Sequence, residues 1–231
     1  AAAYAHLGRE AMALLRLASV DRQELVRRTR VSGLHQLREA LAAGRGVVLV
    51  TAHLGNWELG GALLAAHGVR LAAVAQRQGN PLVDTVLNRA RERLGVQVIE
   101  RGRASSRALE ALRAGYVVAF LPDQDARRAG VFVPFLGRPA STHRGPALLA
   151  LRAGAPLFVG VVLRSGAGYE ARVEEVEASR EGSVEDVVYR LTAAFTRKLE
   201  LAVRSAPDQY FWHHRRWKTR PPAEPVAARQ V

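Results

Sequence analysis

Apolar and polar positions divide the chain into two stretches of different character. Over residues 1–43 the apolar positions recur at helical spacing. Leu7, Met12, Leu14, Leu15 and Leu17 make a first segment, Leu25 and Val26 a second, and Leu34, Leu37 and Leu41 a third at i, i+3, i+7. Asp21 and Ser32 stand where the N-caps of the second and third helices belong. From Gly44 the pattern switches. Short continuous apolar runs at 47–51, 71–75, 96–99, 116–121 and 156–163 predict buried strands, and residues 56–66, 81–94, 105–114 and 143–153 between them predict helices. Strands alternating with helices predict an α/β fold with a largely parallel central sheet flanked by helices. Residues 169–176 alternate apolar and polar positions, as an antiparallel edge strand does, and 184–203 read as a long amphipathic helix. No repeat or linker divides the chain. The expected organisation is an N-terminal helical segment, 1–43, packed on one α/β domain, 44–222, with a tail at 223–231.

A chain of 231 residues with 48% hydrophobic content can bury one substantial core. It has no cysteine, which excludes disulfides, thiolate metal sites and a cysteine nucleophile. The formal net charge is +13, and every basic residue except Lys198 and Lys218 is arginine. Arginine suits bidentate contact with phosphate and carboxylate, so anionic lipid, nucleic acid and an acidic carrier protein are candidate partners. A genome-wide bias toward arginine and alanine accounts for the composition equally well. No apolar run reaches the roughly 20 residues that span a bilayer. Residues 11–20 come nearest and are broken by Arg16. The chain opens on Ala1, so an upstream membrane anchor is left open.

The chemistry concentrates at 47–61, Val-Val-Leu-Val-Thr-Ala-His-Leu-Gly-Asn-Trp-Glu-Leu-Gly-Gly. A buried strand delivers His53 to its carboxyl end, where sites gather in open α/β sheets. Gly55 turns the chain, and Glu58 enters the following helix. A histidine so placed can take a proton from a hydroxyl, and a carboxylate five residues on can orient its other ring nitrogen. The competing reading is a capped helix beside a histidine satisfied in the core. There is no Gly-x-Ser-x-Gly elbow, Walker loop or dinucleotide fingerprint. His213 and His214 are adjacent and point apart on regular structure. Asp123 and Asp125 are too few ligands for a calcium or magnesium site. No metal and no cofactor is expected.

The string at 53–58 matches the first motif of the glycerolipid acyltransferase superfamily in its His-x4-Glu form, and the chain from about Gly44 to Pro221 resembles the lipid A biosynthesis (lauroyl/myristoyl) acyltransferases. Further blocks carry the resemblance in order. They are Gln76 to Asp84, the basic Arg91 and Arg93, Leu121-Pro-Asp-Gln-Asp125 as an acidic loop, Val133 to Thr142 as a substrate-pocket loop, and the aromatic and basic Tyr210 to Pro221. The resemblance implies a glycerolipid-acyltransferase-like fold with His53, Glu58, Arg91 and Asp123 as catalytic residues. His53 would deprotonate an acceptor hydroxyl and Glu58 would orient it. Arg91, or N–H groups near Gly55, would hold the oxyanion, with Asp123 holding Arg91; a purely structural Arg91–Asp123 ion pair is the alternative. Gly55, Asn56, Trp57, Arg77, Asn80, Arg93, Gln124, Asp125 and Thr142 are the implied substrate-binding residues. The implied donor is a thioester of acyl carrier protein or coenzyme A. The implied acceptor is a lipid A precursor or related glycolipid, with lysophospholipid or phosphatidylinositol mannoside as alternatives. The resemblance also implies work at a membrane surface, on the cytoplasmic face of the bacterial inner membrane, peripherally or through an N-terminal anchor. No nucleic-acid partner is expected. Two other readings compete: a non-catalytic binder of anionic lipid or nucleic acid, and a hydrolase using the same dyad on water. Trp212, Arg215, Arg216, Trp217 and Lys218 suit either a membrane interface or packing against the domain.

Overall fold

The computed structural model describes residues 2–15, 19 and 21–222. The predicted tail at 223–231, and part of the apolar run at 11–20, lie outside the described residues. In chain order the structure has α1 (Ala2–Leu15), α2 (Arg22–Arg27), β1 (Thr29–Ser32), α3 (Leu34–Ala42), β2 (Val47–Val50), α4 (Trp57–Ala66), β3 (Leu71–Ala75), α5 (Pro81–Arg93) and β4 (Val96–Glu100). There follow α6 (Ala104–Arg113), β5 (Val117–Phe120), β6 (Val131–Phe135), β7 (Arg138–Thr142), α7 (Gly145–Ala153), β8 (Leu157–Ser165), β9 (Gly168–Glu175) and α8 (Val184–Ser205).

Seven strands form one sheet in the order β1-β9-β8-β2-β5-β3-β4. β8, β2, β5, β3 and β4 run parallel. β9 turns back antiparallel to β8, and β1 pairs parallel to β9. The central strand β2 is Val-Val-Leu-Val, buried at all four positions, because a parallel sheet is covered on both faces and its inner strands read as continuous apolar runs. Val48 and Val50 pack on one face with Leu157, Leu191 and Phe195. Val47 and Leu49 pack on the other with Leu37, Leu64 and Leu71. α8 closes the first face. Ser183 caps its start by accepting the Asp186 N–H, and Val187, Leu191, Phe195, Leu199 and Val203 form its buried stripe. Full burial of side chains of this size contributes about 1.5–3 kcal/mol each.

Four local expectations change. Residues 29–32, read as helical, form β1, so the N-terminal segment supplies a strand of the sheet as well as helices. Ser32 ends β1, and Gly33 takes the N-cap position of α3 without a side-chain bond. β9 is antiparallel to β8 as expected but is not an edge, because β1 covers it. The segment from Val133 to Thr142 belongs to an antiparallel hairpin, β6–β7, rather than a loop. Among the described residues no helix is long and apolar enough to cross a membrane.

Candidate active site

β2 ends at Val50, and the chain leaves the sheet at its carboxyl edge to place His53 beside Asp123, which follows β5. Both parent strands are neighbours in the sheet, so the two residues meet although 70 positions separate them. One Asp123 oxygen accepts the His53 backbone N–H at 2.9 Å, and the other lies 2.8 Å from His53 Nδ1. An ionised carboxylate only accepts, so Nδ1 carries the proton and Nε2 is left as a free base. Asp123 is buried while the His53 side chain keeps 23% exposure and borders the cavity. Burial alone would lower the His53 pKa, but the charge and hydrogen bond of Asp123, with the charge of Glu58, raise it above its ordinary value of 6.5. Burial works in the same destabilising sense on the Asp123 carboxylate, and His53 outweighs it, so Asp123 titrates below its ordinary 3.8.

The return turn depends on Gly55. Its φ is +59°, and a Cβ there would lie 1.9 Å from the Val162 carbonyl oxygen, so only glycine fits both the conformation and the space. The Gly55 N–H donates to Gln209 O and the Asn56 N–H to Val162 O, each at 3.0 Å. These two amides are therefore taken and do not serve an oxyanion. The Trp57 ring meets the imidazole edge-on at 5.0 Å, and Phe211 lies on it at 6.1 Å. Tyr210 is buried beside Asp123, and burial together with that carboxylate holds its phenol protonated.

Glu58 does not orient His53. It enters the first turn of α4 and faces α5, where it accepts Arg91 Nε at 2.9 Å and a second bond from Arg91 Nη2. Arg91 Nη1 donates to Asn88 Oδ1 at 3.1 Å. Asp123 accordingly holds His53, not Arg91, and Glu58 holds Arg91. The expected pairings are exchanged. The cause is topological: neighbouring strands bring β2 and β5 together, whereas five residues of separation place Glu58 a turn away on a helix face. Burial opposes charge on Arg91, but Glu58 more than compensates and keeps it firmly cationic. Arg91 and Glu58 both border the cavity. If the pair acts as one unit, Arg91→Lys and Glu58→Gln should each lower turnover, by up to the roughly 10²–10³-fold of a lost oxyanion donor, and the double variant should lose little more. Additive losses, measured alongside thermal melts, would assign the pair to stability instead.

The cavity has a volume of about 970 Å³. Of the expected substrate-binding residues, Gly55, Asn56, Trp57, Arg77 and Gln124 border it. Asn80, Arg93, Asp125 and Thr142 do not. Asn80 caps α5 by accepting the Leu82 N–H at 2.9 Å. Arg93 is exposed at the end of α5, and its carbonyl accepts Arg22. Asp125 accepts Thr219 Oγ1 at 2.8 Å. Thr142 is buried and accepts Arg216 Nη2 at 2.5 Å. Asn56 does double duty: its Oδ1 caps α4 through the Leu59 N–H at 2.9 Å, and its Nδ2 donates to Glu10 on α1. Glu10, buried, also receives Arg164 at 2.9 Å. The segment from Tyr210 packs largely against the domain. Arg216 is buried and lies over the Phe135 ring, Trp217 stacks on Phe135, and Trp212 stays exposed. The sequence did not single out His143, Tyr210 or Phe211 as site residues. The last two fell within the aromatic and basic block from Tyr210 to Pro221, with no role in the site attached to them. Among the described residues no group of three or more histidines or carboxylates is placed to hold a metal.

A histidine with a buried carboxylate behind it, at the carboxyl ends of parallel strands and open to a large cavity, is an arrangement that can take a proton from a hydroxyl or from water. The chain belongs to the bacterial lipid A biosynthesis acyltransferase family, whose model matches residues 1–219. It is similar to the lipid A biosynthesis lauroyltransferase of Escherichia coli (strain K12), 34% identical over 208 residues that cover 88% of this chain and 66% of that protein. It is also similar to the palmitoleoyltransferase of lipid A biosynthesis from the same strain, 33% identical over 84% of this chain and 63% of that protein. Similarity extends to the phosphatidylinositol mannoside acyltransferase of Mycobacterium tuberculosis (strain ATCC 25618 / H37Rv), 30% identical over 83% of this chain and 63% of that protein. The chain spans just under two thirds of the length of these relatives.

Proposed function

We propose that the protein is an O-acyltransferase that moves a fatty acyl group from a thioester of acyl carrier protein or coenzyme A to a hydroxyl of a glycolipid. The observation that carries this reading is the Asp123-oriented His53 opening on a cavity with a long apolar wall. His53 Nε2 takes the proton of the acceptor hydroxyl as its oxygen attacks the thioester carbon. The imidazolium so formed is stabilised by Asp123, and the charge on the carbonyl oxygen is met by the field of Arg91. The C–S bond then breaks, and His53 returns the proton to the departing sulfur. The same groups acting on water would make a hydrolase, and the apolar wall favours transfer because it excludes water from the reacting atoms. Mass spectrometry of lipids from cells with and without the gene tests the reading: loss of one acyl group from a glycolipid is expected, and an unchanged lipid profile counts against it.

That apolar wall lies between α4 and the sheet, where Leu49, Leu63, Leu64, Leu71, Val96 and Val173 border the cavity. Two glycines lie inside α4, each costing a helix about 1 kcal/mol relative to alanine. A Cβ on Gly60 would lie 3.0 Å from Val162, and one on Gly61 3.3 Å from Leu71 and 3.5 Å from Val96. The two glycines therefore let α4 lie close against the sheet at this wall.

We place the reaction at a lipid surface, on the cytoplasmic side of the inner membrane. α1 and α5 both border the cavity, through Leu7 and Ala11 on one and Leu87 and Arg91 on the other. Between them they expose Tyr4, Met12, Leu82, Val83 and Val86, with Arg9, Arg77 and Arg89 exposed alongside. Apolar side chains ringed by arginine suit an anionic interface. Binding to anionic vesicles should fall as salt rises, and the pair Leu82→Ser and Val86→Ser should weaken it further at fixed salt. A protein that ignores such vesicles at low salt is not peripheral to the membrane.

A further inference from the structure

The cavity wall opposite the apolar one has a different chemistry. It is reached from the other face of the sheet, past Val74, Phe120 and Val161, and is built by the chain ends after β3, β4 and β5 and by α7, from its start to Arg152 in its last turn. Gln76, Gln78, Arg101, Gln124, His143 and Arg152 border it. The charge balance of the whole cavity is informative. Its two carboxylates, Glu10 and Glu58, are taken by Arg164 and Arg91. Among its arginines, Arg172 bonds Glu170, and Arg77 lies 3.9 Å from Asp84. Arg101 and Arg152 have no carboxylate partner among the described residues. Arg101 instead donates to the neutral amide of Gln76 at 3.1 Å. His143 is half-buried next to it, and burial, reinforced by the Arg101 and Arg216 charges, holds the ring below its ordinary pKa. The first turn of α7, which no side chain caps, opens at the same place through Gly145 and Pro146.

Two exposed guanidiniums without a carboxylate partner and a half-buried imidazole between charges of both signs, Arg101 and Arg216 against Asp123 and Asp125, in a wall whose own lining has no acid, describe a subsite for an anion. We propose that Arg101 and His143, with Arg152 beyond them, bind a phosphoryl group of a substrate, and so set that substrate's position relative to His53. This rests on the transferase reading. The planar fork of Arg101 matches two phosphate oxygens, His143 supplies a ring donor, and a bound phosphate offsets the Arg101 and Arg216 charges beside that ring. Two sources share this chemistry: the phosphopantetheine arm of the thioester donor, and a phosphate on the glycolipid acceptor.

Kinetics with matched substrates separate them. One arm compares acyl-coenzyme A with the corresponding S-acyl-N-acetylcysteamine, which lacks phosphate. The other compares a phosphorylated glycolipid acceptor with its dephosphorylated form. In the native protein, loss of the phosphate that occupies the subsite should lower kcat/KM by about tenfold or more, the scale of a hydrogen bond to a charged group. In Arg101→Met and in His143→Gln that penalty should shrink toward one, and Arg101→Lys should lie between. The arm in which the penalty shrinks names the source. Penalties that are the same in native and variant proteins on both arms overturn the proposal. Inorganic phosphate provides a readout without turnover: it should shift the His143 ring resonances of the native protein and not those of Arg101→Met. Absence of that shift counts against the subsite. A clear shift in a protein that transfers no acyl group from any donor would instead sink the transferase reading and leave the anion site standing.

Discussion

Replacing His53 with alanine is expected to lower acyl transfer by at least about 10²-fold, the usual scale of a lost general base. No other group bordering the cavity matches it. His143 is held neutral at the far wall, beside Arg101, with no carboxylate bonded to it to stabilise its protonated form. The substitution leaves Asp123 buried with the backbone N–H of residue 53 as its remaining bond from that residue. Removing one member of a buried pair typically costs about 3–5 kcal/mol, so turnover must be referred to folded protein by thermal melts. Near-normal turnover per folded molecule would take His53 out of the chemistry.

A comparably large loss, toward the order of 10⁴ seen where a carboxylate fixes a catalytic tautomer, is expected for Asp123→Asn. Asp123 uses both oxygens as acceptors, one for the His53 N–H and one for Nδ1–H. Asparagine has a single acceptor. If its oxygen keeps the backbone N–H, its amide faces Nδ1 as a donor and moves the ring proton to Nε2, where no base remains. The pH profile provides a second readout. The free base is the active form, so kcat/KM should fall as pH drops through the His53 pKa, which Asp123 holds above 6.5. In Asp123→Asn the residual activity should lose that acid limb at a lower pH, since burial then acts with less opposition. An unshifted limb would mean that another group titrates. Glu58→Gln, by contrast, should move the limb only slightly, because Glu58 acts on His53 through space and bonds Arg91 directly.

Much of the fold could be read from local pattern. The buried strands β2, β3, β4, β5 and β8 announce themselves as apolar runs, and Pro81, Gly115 and Gly154 punctuate the helices. β1 gave no such signal. Thr-Arg-Val-Ser is four residues long, and its ladder partner lies far along the chain. The β6–β7 hairpin was hidden by its turn, which sets Leu136 and Gly137 at φ of +51° and +77°. Such turns normally advertise themselves with asparagine or aspartate before glycine, and a leucine there does not. In the site, His53 was legible from the strand before it. Its partner was not, since sequence spacing favours the nearby Glu58, and only the adjacency of β2 and β5 brings Asp123 to the ring. The uncompensated arginines of the far wall come from separate segments and share no motif.

The pairing of β1 with β9 also bears on how the protein comes to be folded. Arg30 bonds Glu170 across 140 residues, and α1 is tied through Glu10 to Arg164. During synthesis the ribosome must add those residues before the first strand has an edge to join, a wait of roughly 7–28 seconds at about 5–20 residues per second. Long-range parallel pairing is also slow to form once all parts are present. β1 and α1, whose partners come late in the chain, therefore spend that interval undocked, within reach of chaperones or of an anionic lipid surface. A nascent chain arrested before Gly168 would hold them in that state indefinitely.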